Sequence, residues 1–166
     1  DAGSVIQPYG VGNFADVGEI NTISFHTGTL ATGTTVTPND NTIPQNTEGN
    51  QFMTVTFKPT SAKSILRIDV IANIGMDAAT GRYIMALYRD SVADAFAVVA
   101  SEPAATAMMV IPMTAYVVSG TINPITFKVR VGNNAAGTMT FNGESGAAAY
   151  GGSIQSSITV TEIPSG

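Results

Sequence analysis

An all-β, jelly-roll sandwich of about eight to ten antiparallel strands is the fold this sequence predicts. Three observations carry the expectation. From Ile20 onward apolar residues recur with a period of two rather than 3.6. The alternating runs are of strand length and are separated by clusters of Gly, Pro, Asn and Asp. At 166 residues the chain suits one domain and can fill a core between two sheets.

Residues 1–18 are Gly-rich and poorly patterned, and read as a lead-in or linker; residues 19–166 form the predicted domain. The stretch Ile23-Ser-Phe25-His-Thr27 opens the alternation, and Thr37–Pro44 reads as a long surface loop. In Gln51–Lys58, Met53, Val55 and Phe57 share one face. Pro59-Thr-Ser61 is a turn, and Ser64–Ala72 places Leu66, Ile68 and Val70 opposite Arg67 and Asp69. Arg82–Arg89 puts Tyr83, Met85 and Leu87 together before a reversal at Asp90-Ser91.

Two segments are less regular. Val92, Phe96 and Val99 have helical spacing, but β-rich surroundings favour a strand over Val92–Ala100. Ala105–Ser119 is apolar on both faces, as expected of a central strand covered on both sides. The clearest alternation is Ile125, Phe127, Val129 and Val131, closed by Gly132-Asn133-Asn134. Thr138–Asn142 follows with Met139 and Phe141 inward. Asn142-Gly143 is then a tight-turn signal. Ser153–Ile163 is the last predicted strand, with Ile154, Ile158 and Val160 on one face.

Composition narrows the function. Apolar residues make up 44% of the chain and charged residues only 11%, against about a quarter in ordinary soluble domains. Either much of the surface is buried in an assembly, or Thr, Ser and Asn keep it soluble. A net charge of −5 argues against a nucleic-acid partner, which requires clustered Lys and Arg. The longest apolar runs are too short for membrane insertion as a helix. With no Cys, neither disulfides nor thiolate chemistry are available.

No motif points to catalysis, and no cofactor or metal is expected. His26 is the only His, in a Thr-rich strand, and has no nucleophile spaced to suit it. Gly143-Glu-Ser-Gly146 lacks the spacing and setting of a nucleophile elbow. Asp69, Asp77, Asp90, Asp94 and Glu102 are scattered acids with nothing that fixes a hydrolytic pair. Asn39-Asp40-Asn41 offers oxygen ligands for Ca²⁺, but ordinary turn propensity explains it. Glu162, on the face of Ile158 and Val160, is an inward acid that needs a partner such as Arg67 or Arg130, or else a place at the rim. Lys128, Arg130, Arg67 and Asp69 suit cross-strand ion pairs within or between subunits.

Tyr88, Tyr116 and Tyr150 have faces that can stack on sugar rings, or pack in a core or interface. Tyr88 and Tyr116, with Asp90, are the candidate ligand-binding residues. Tyr150 with Gly151 and Gly152, where a Gly pair permits close approach, and Phe141 are the candidates for a contact between copies.

The chain also resembles a known family. Ile43-Pro-Gln-Asn-Thr-Glu-Gly-Asn-Gln51, Phe57-Lys-Pro-Thr-Ser61, Ser64-Ile-Leu66, Ala86-Leu-Tyr-Arg-Asp-Ser91 and Phe127-Lys-Val-Arg130 are similar to C-terminal domains of bacteriophage tail fibres and tailspikes. The most specific part runs from Phe141-Asn-Gly143 through Tyr150-Gly-Gly-Ser153 to Ser157-Ile-Thr-Val-Thr-Glu-Ile163. The resemblance covers residues 42–163. It implies a tumour-necrosis-factor-like jelly roll that forms a homotrimer, located in the virion at the phage tail and hence extracellular. Such a domain serves trimerisation, recognition of host cell-surface polysaccharide, or both. Where relatives carry Arg-Leu-Phe before the Gly pair, this chain has Ala148-Ala149-Tyr150 and lacks that Arg. Two other readings share much of the fold: a monomeric carbohydrate-binding module of a secreted enzyme, disfavoured by the absence of Trp, and a capsid-associated fibre domain.

Overall fold

The computed structural model describes residues 21–77, 81–102 and 108–164, so the expected lead-in over 1–18 lies outside the described residues. Its strands are β1 (Thr22–Thr27), β2 (Ala31–Gly33), β3 (Asn50–Phe57), β4 (Ile65–Met76), β5 (Tyr83–Arg89), β6 (Ala97–Ser101), β7 (Met109–Val118), β8 (Ile125–Asn133), β9 (Met139–Phe141), β10 (Gly143–Glu144), β11 (Ala147–Ala148) and β12 (Ser156–Ile163). One four-stranded sheet runs β3-β8-β5-β6. In the other, β1-β12-β4 continues to β7, while β9 pairs with the far end of β4 and β2 lies beyond it. Numbered among themselves, the eight main strands form sheets of order 1-8-3-6 and 2-7-4-5, all antiparallel. That order is the jelly roll.

Period-two patterning builds the core as expected. Ile125, Phe127, Val129 and Val131 of β8 are all fully buried, and they face Leu66, Ile68 and Val70 of β4 in one cluster. Each such side chain contributes roughly 1.5–3 kcal/mol by leaving water.

Four segments depart from the sequence reading. β12 begins at Ser156, three residues later than expected. Only Ala97–Ala100 of the segment with helical spacing is strand, and that strand runs on to Ser101. Residues before it turn past the core: Phe96 packs edge-on against Phe127, with ring centroids 6.0 Å apart, and Asp94 bridges to Gln45. At Asn142-Gly143 the chain bends without forming the hairpin. Asn142 takes a left-handed φ of 58°, but the two-residue turn lies at Ser145-Gly146, with φ of 51° and 78°.

The fourth departure matters most. β7 is not a central strand: among the described residues it pairs with β4 alone, and its outer face is open. Pro112 is the signal in the sequence that marks it, because proline cannot donate to a ladder on both sides and belongs on an edge.

Candidate functional site: the open face of one sheet

The two sheets differ in what covers their outer faces. On the β3-β8-β5-β6 sheet, the outward side chains of β5, Ile84, Ala86 and Tyr88, are buried. A loop across this face is held by Thr37 N–H to the Asn133 carbonyl at 3.0 Å, Asn46 N–H to Ala93 at 2.8 Å and Ala95 N–H to Pro44 at 3.0 Å. Arg130 adds two bonds, to the Glu48 and Gly49 carbonyls at 2.8 and 2.7 Å. Gly132 permits the crossing, since a Cβ there would lie 2.0 Å from the Thr37 hydroxyl.

On the β1-β12-β4-β7 sheet, no such strap is found among the described residues. Register places its outer face in rows across the strands. The middle rows are Thr22, Thr161, Arg67 and Tyr116, then Ser24, Thr159, Asp69 and Thr114. Toward one end lie Ile163, Ile65 and Val118; toward the other lie His26, Ser157, Ile71 and Pro112, with Val110 beyond. Exposure is 61% for Tyr116, 56% for Val110 and Val118, 45% for Ile71, and 40% for Ile65 and Ile163. These six large apolar side chains share one exposed face in two groups, Tyr116, Val118, Ile65 and Ile163 toward one end and Ile71 and Val110 toward the other, with a polar row between them.

At its centre, Arg67 and Asp69 form an ion pair at 2.9 Å, and Asp69 also accepts from the Thr114 hydroxyl at 2.7 Å. The charges on this face are therefore already paired within the chain. An aromatic and an arginine amid apolar neighbours match the composition of interface centres.

The candidate residues scatter. Tyr116 lies in the open face. Tyr88 does not serve a ligand: it is fully buried, and its hydroxyl donates to the Gln45 carbonyl at 2.8 Å. Burial first, then the Glu48 carboxylate, push that hydroxyl up to about 12, against the opposing pull of Arg130. Its covering residue is 43 positions away in sequence, which no local pattern reveals. Asp90 is exposed but works in its turn, where its carboxylate accepts from Thr126 N–H at 2.8 Å and its backbone takes a φ of 52°. No described contact joins these three residues.

Of the candidates for contact between copies, Phe141 has its side chain inside, stacked on Phe52 with ring centroids 4.8 Å apart and planes 5° from parallel. It cannot contact another subunit through its ring. Tyr150, Gly151 and Gly152 form a protruding turn with φ of 47°, 65° and 79°, and Tyr150 is 78% exposed. The open space around both glycines shows that left-handed backbone, not crowding, favours glycine there.

Glu162 pairs with neither Arg67 nor Arg130. It is buried at the end of the core, where its carboxylate accepts from Asn21 Nδ2 at 2.7 Å, Thr60 N–H at 2.9 Å, the Thr60 hydroxyl at 2.8 Å and Ser61 N–H at 3.2 Å. Burial pushes its pKa up, but contacts with Asn21, Ser64 and Thr60 outweigh that and hold it at about 2. Of these, the buried Ser64 hydroxyl makes no hydrogen bond of ordinary geometry. Asp40 is a turn residue: its carboxylate accepts from the Thr42 hydroxyl and N–H, which hold its pKa below the usual value.

Among the described residues, no three His, Cys, Asp or Glu side chains group to hold a metal, and no helix is long and apolar enough to cross a membrane.

No protein-family model and no curated protein sequence matches the chain. Solved structures similar to it include dimeric latent PorU from Porphyromonas gingivalis, at 10% identity and a TM-score of 0.39, covering 86% of this chain and 13% of that one. Another is infectious bursal disease virus, Gx strain, at 11% identity and a TM-score of 0.39, covering 87% and 36%. The enzymatically active domain of bacteriophage CBA120 tailspike protein 4 follows, at 17% identity and a TM-score of 0.28, covering 74% and 18%. The chain thus spans only a small part of each of these proteins, and likenesses this distant do not bear on function.

Proposed function

We propose that this domain is a trimeric knob of a phage tail fibre or tailspike, which assembles with copies of itself and presents loops to a host cell surface. On this reading it is an assembly and binding module of the virion, not a catalyst. The observation that carries the self-assembly is the outer face of β1-β12-β4-β7, which no described residue covers and which exposes six large side chains, while the opposite sheet is covered by its own loop. Three copies and the phage setting rest on the family resemblance of residues 42–163. The protruding Tyr150 turn supports a role at the rim of the assembly, and three weak glycan contacts on one rigid knob would add by avidity.

Sedimentation equilibrium of the full chain tests the assembly. The expected mass is a multiple of three copies, and Tyr116→Asp should abolish the threefold component, because the new carboxylate would be buried without a partner. A wild-type mass with no threefold component rejects the trimer. Binding of the assembled protein to host polysaccharide, measured separately, tests recognition.

A further inference from the structure

We propose that the free edge of β1 pairs antiparallel with β1 of a second copy, so that two copies share one continuous sheet. This contact is distinct from the threefold one and goes beyond it.

Hydrogen-bond alternation identifies what the edge offers. Asn21 C=O accepts from Glu162 N–H at 2.8 Å, one step beyond the β1–β12 register that pairs Thr22 with Thr161. Since such pairs alternate, Ile23, Phe25 and Thr27 spend their main-chain groups on β12. The N–H and C=O groups of Thr22, Ser24 and His26 therefore point away from it. Among the described residues, no other strand pairs with this edge.

Among the described residues, the edges at β7, β3 and β6 are each defended and that of β1 is not. β7 carries Pro112, β3 shifts register between Gln51 and Met53, and the end of β6 lies against the start of β7, with the Ser101 hydroxyl 3.7 Å from the Met109 sulfur. β1 is six residues of Thr-Ile-Ser-Phe-His-Thr, with no proline, no acid and no Lys or Arg. Its inward side chains remain open too: Ile23 and Phe25 share the face of the buried Val160 and Ile158, yet stay 39% and 37% exposed.

The strand is complementary to itself. A two-fold axis through Ser24 sets Ser24 opposite its copy and Thr22 opposite His26, the three positions whose groups face outward, so each pair exchanges two bonds. The same register places Ile23 against the second copy's Phe25 on the core face, an aromatic and β-branched pair of the kind that stabilises sheets. Thr22, Ser24 and His26 fall together on the outer face. Sheet extension of this sort is an established route to association.

The test uses the full chain in sedimentation equilibrium over a concentration series. Ser24→Pro removes an outward N–H and leaves the β12 ladder intact, whereas Ser24→Ala keeps that N–H. The expected result is a wild-type mass that Ser24→Pro halves and Ser24→Ala does not. If the threefold reading also holds, wild type is six copies and falls to three. If that reading fails, wild type is two copies and falls to one. An unchanged mass for Ser24→Pro overturns the pairing, as does a wild type of three copies or one. Should Ser24→Pro not fold, hydrogen exchange of the wild type decides: amides of Thr22, Ser24 and His26 whose protection grows with concentration support pairing. Fast exchange, or protection independent of concentration, overturns it.

Discussion

Phe141→Ala is expected to lower the unfolding free energy by about 3–5 kcal/mol, the usual range when a buried phenyl ring leaves a cavity. The ring is 1% exposed and lies flat on Phe52, so its removal strips one side of a stacked pair as well as the core. Relaxation is limited because β9 is only three residues long and is held between β2 and the end of β4. The loss should appear in chemical denaturation at protein concentrations low enough to keep the chain monomeric, since the contact lies within one copy. A change below about 1 kcal/mol under those conditions would show that Phe141 does not pack as described.

Glu162→Gln should cost about 1–3 kcal/mol at neutral pH and lower the melting temperature by roughly 2–12 °C. The carboxylate receives donors from two separate segments, Asn21 before β1 and Thr60 and Ser61 between β3 and β4, and thereby ties them to β12. Glutamine would turn its own N–H₂ toward at least one of those donors and leave it unsatisfied. The pH dependence has a definite sign. The folded value of about 2 lies below the ordinary 4.5, so this stabilisation is complete above about pH 5. It then declines as the pH falls from 4.5 toward 2 and is lost below that. Urea midpoints measured across this range should fall more steeply for wild type than for the variant; parallel slopes would mean that Glu162 is not held ionised in the fold.

Both residues show where sequence patterning works and where it stops. The strands were legible because one face of each is buried and a one-residue slip would expose the whole set, as in Met53, Val55 and Phe57. Phe141 was correctly placed inward, but its period-two position could not exclude a surface between copies. Glu162 was recognisable as an inward acid, yet its partners are backbone N–H groups and an amide rather than an arginine, and backbone donors leave no mark in a sequence. Tyr88 sits at an outward parity on β5 and is buried only because a loop crosses over it. A run apolar on both faces, such as β7, has two explanations. Either both faces are covered within the chain, or one is left open; Pro112 marks β7 as an edge strand and does not decide between them.

The pairing of β1 with β12 brings the first and last described strands side by side, Thr22 opposite Thr161. A sheet arranged this way cannot be completed until β12 has been synthesised, because β4 also waits for β12 as a neighbour. Folding therefore has to close a loop of nearly the whole domain, which slows it by topology. Removing Ser156–Ile163 would leave two strands without their shared neighbour, so the integrity of this sheet depends on its last described strand.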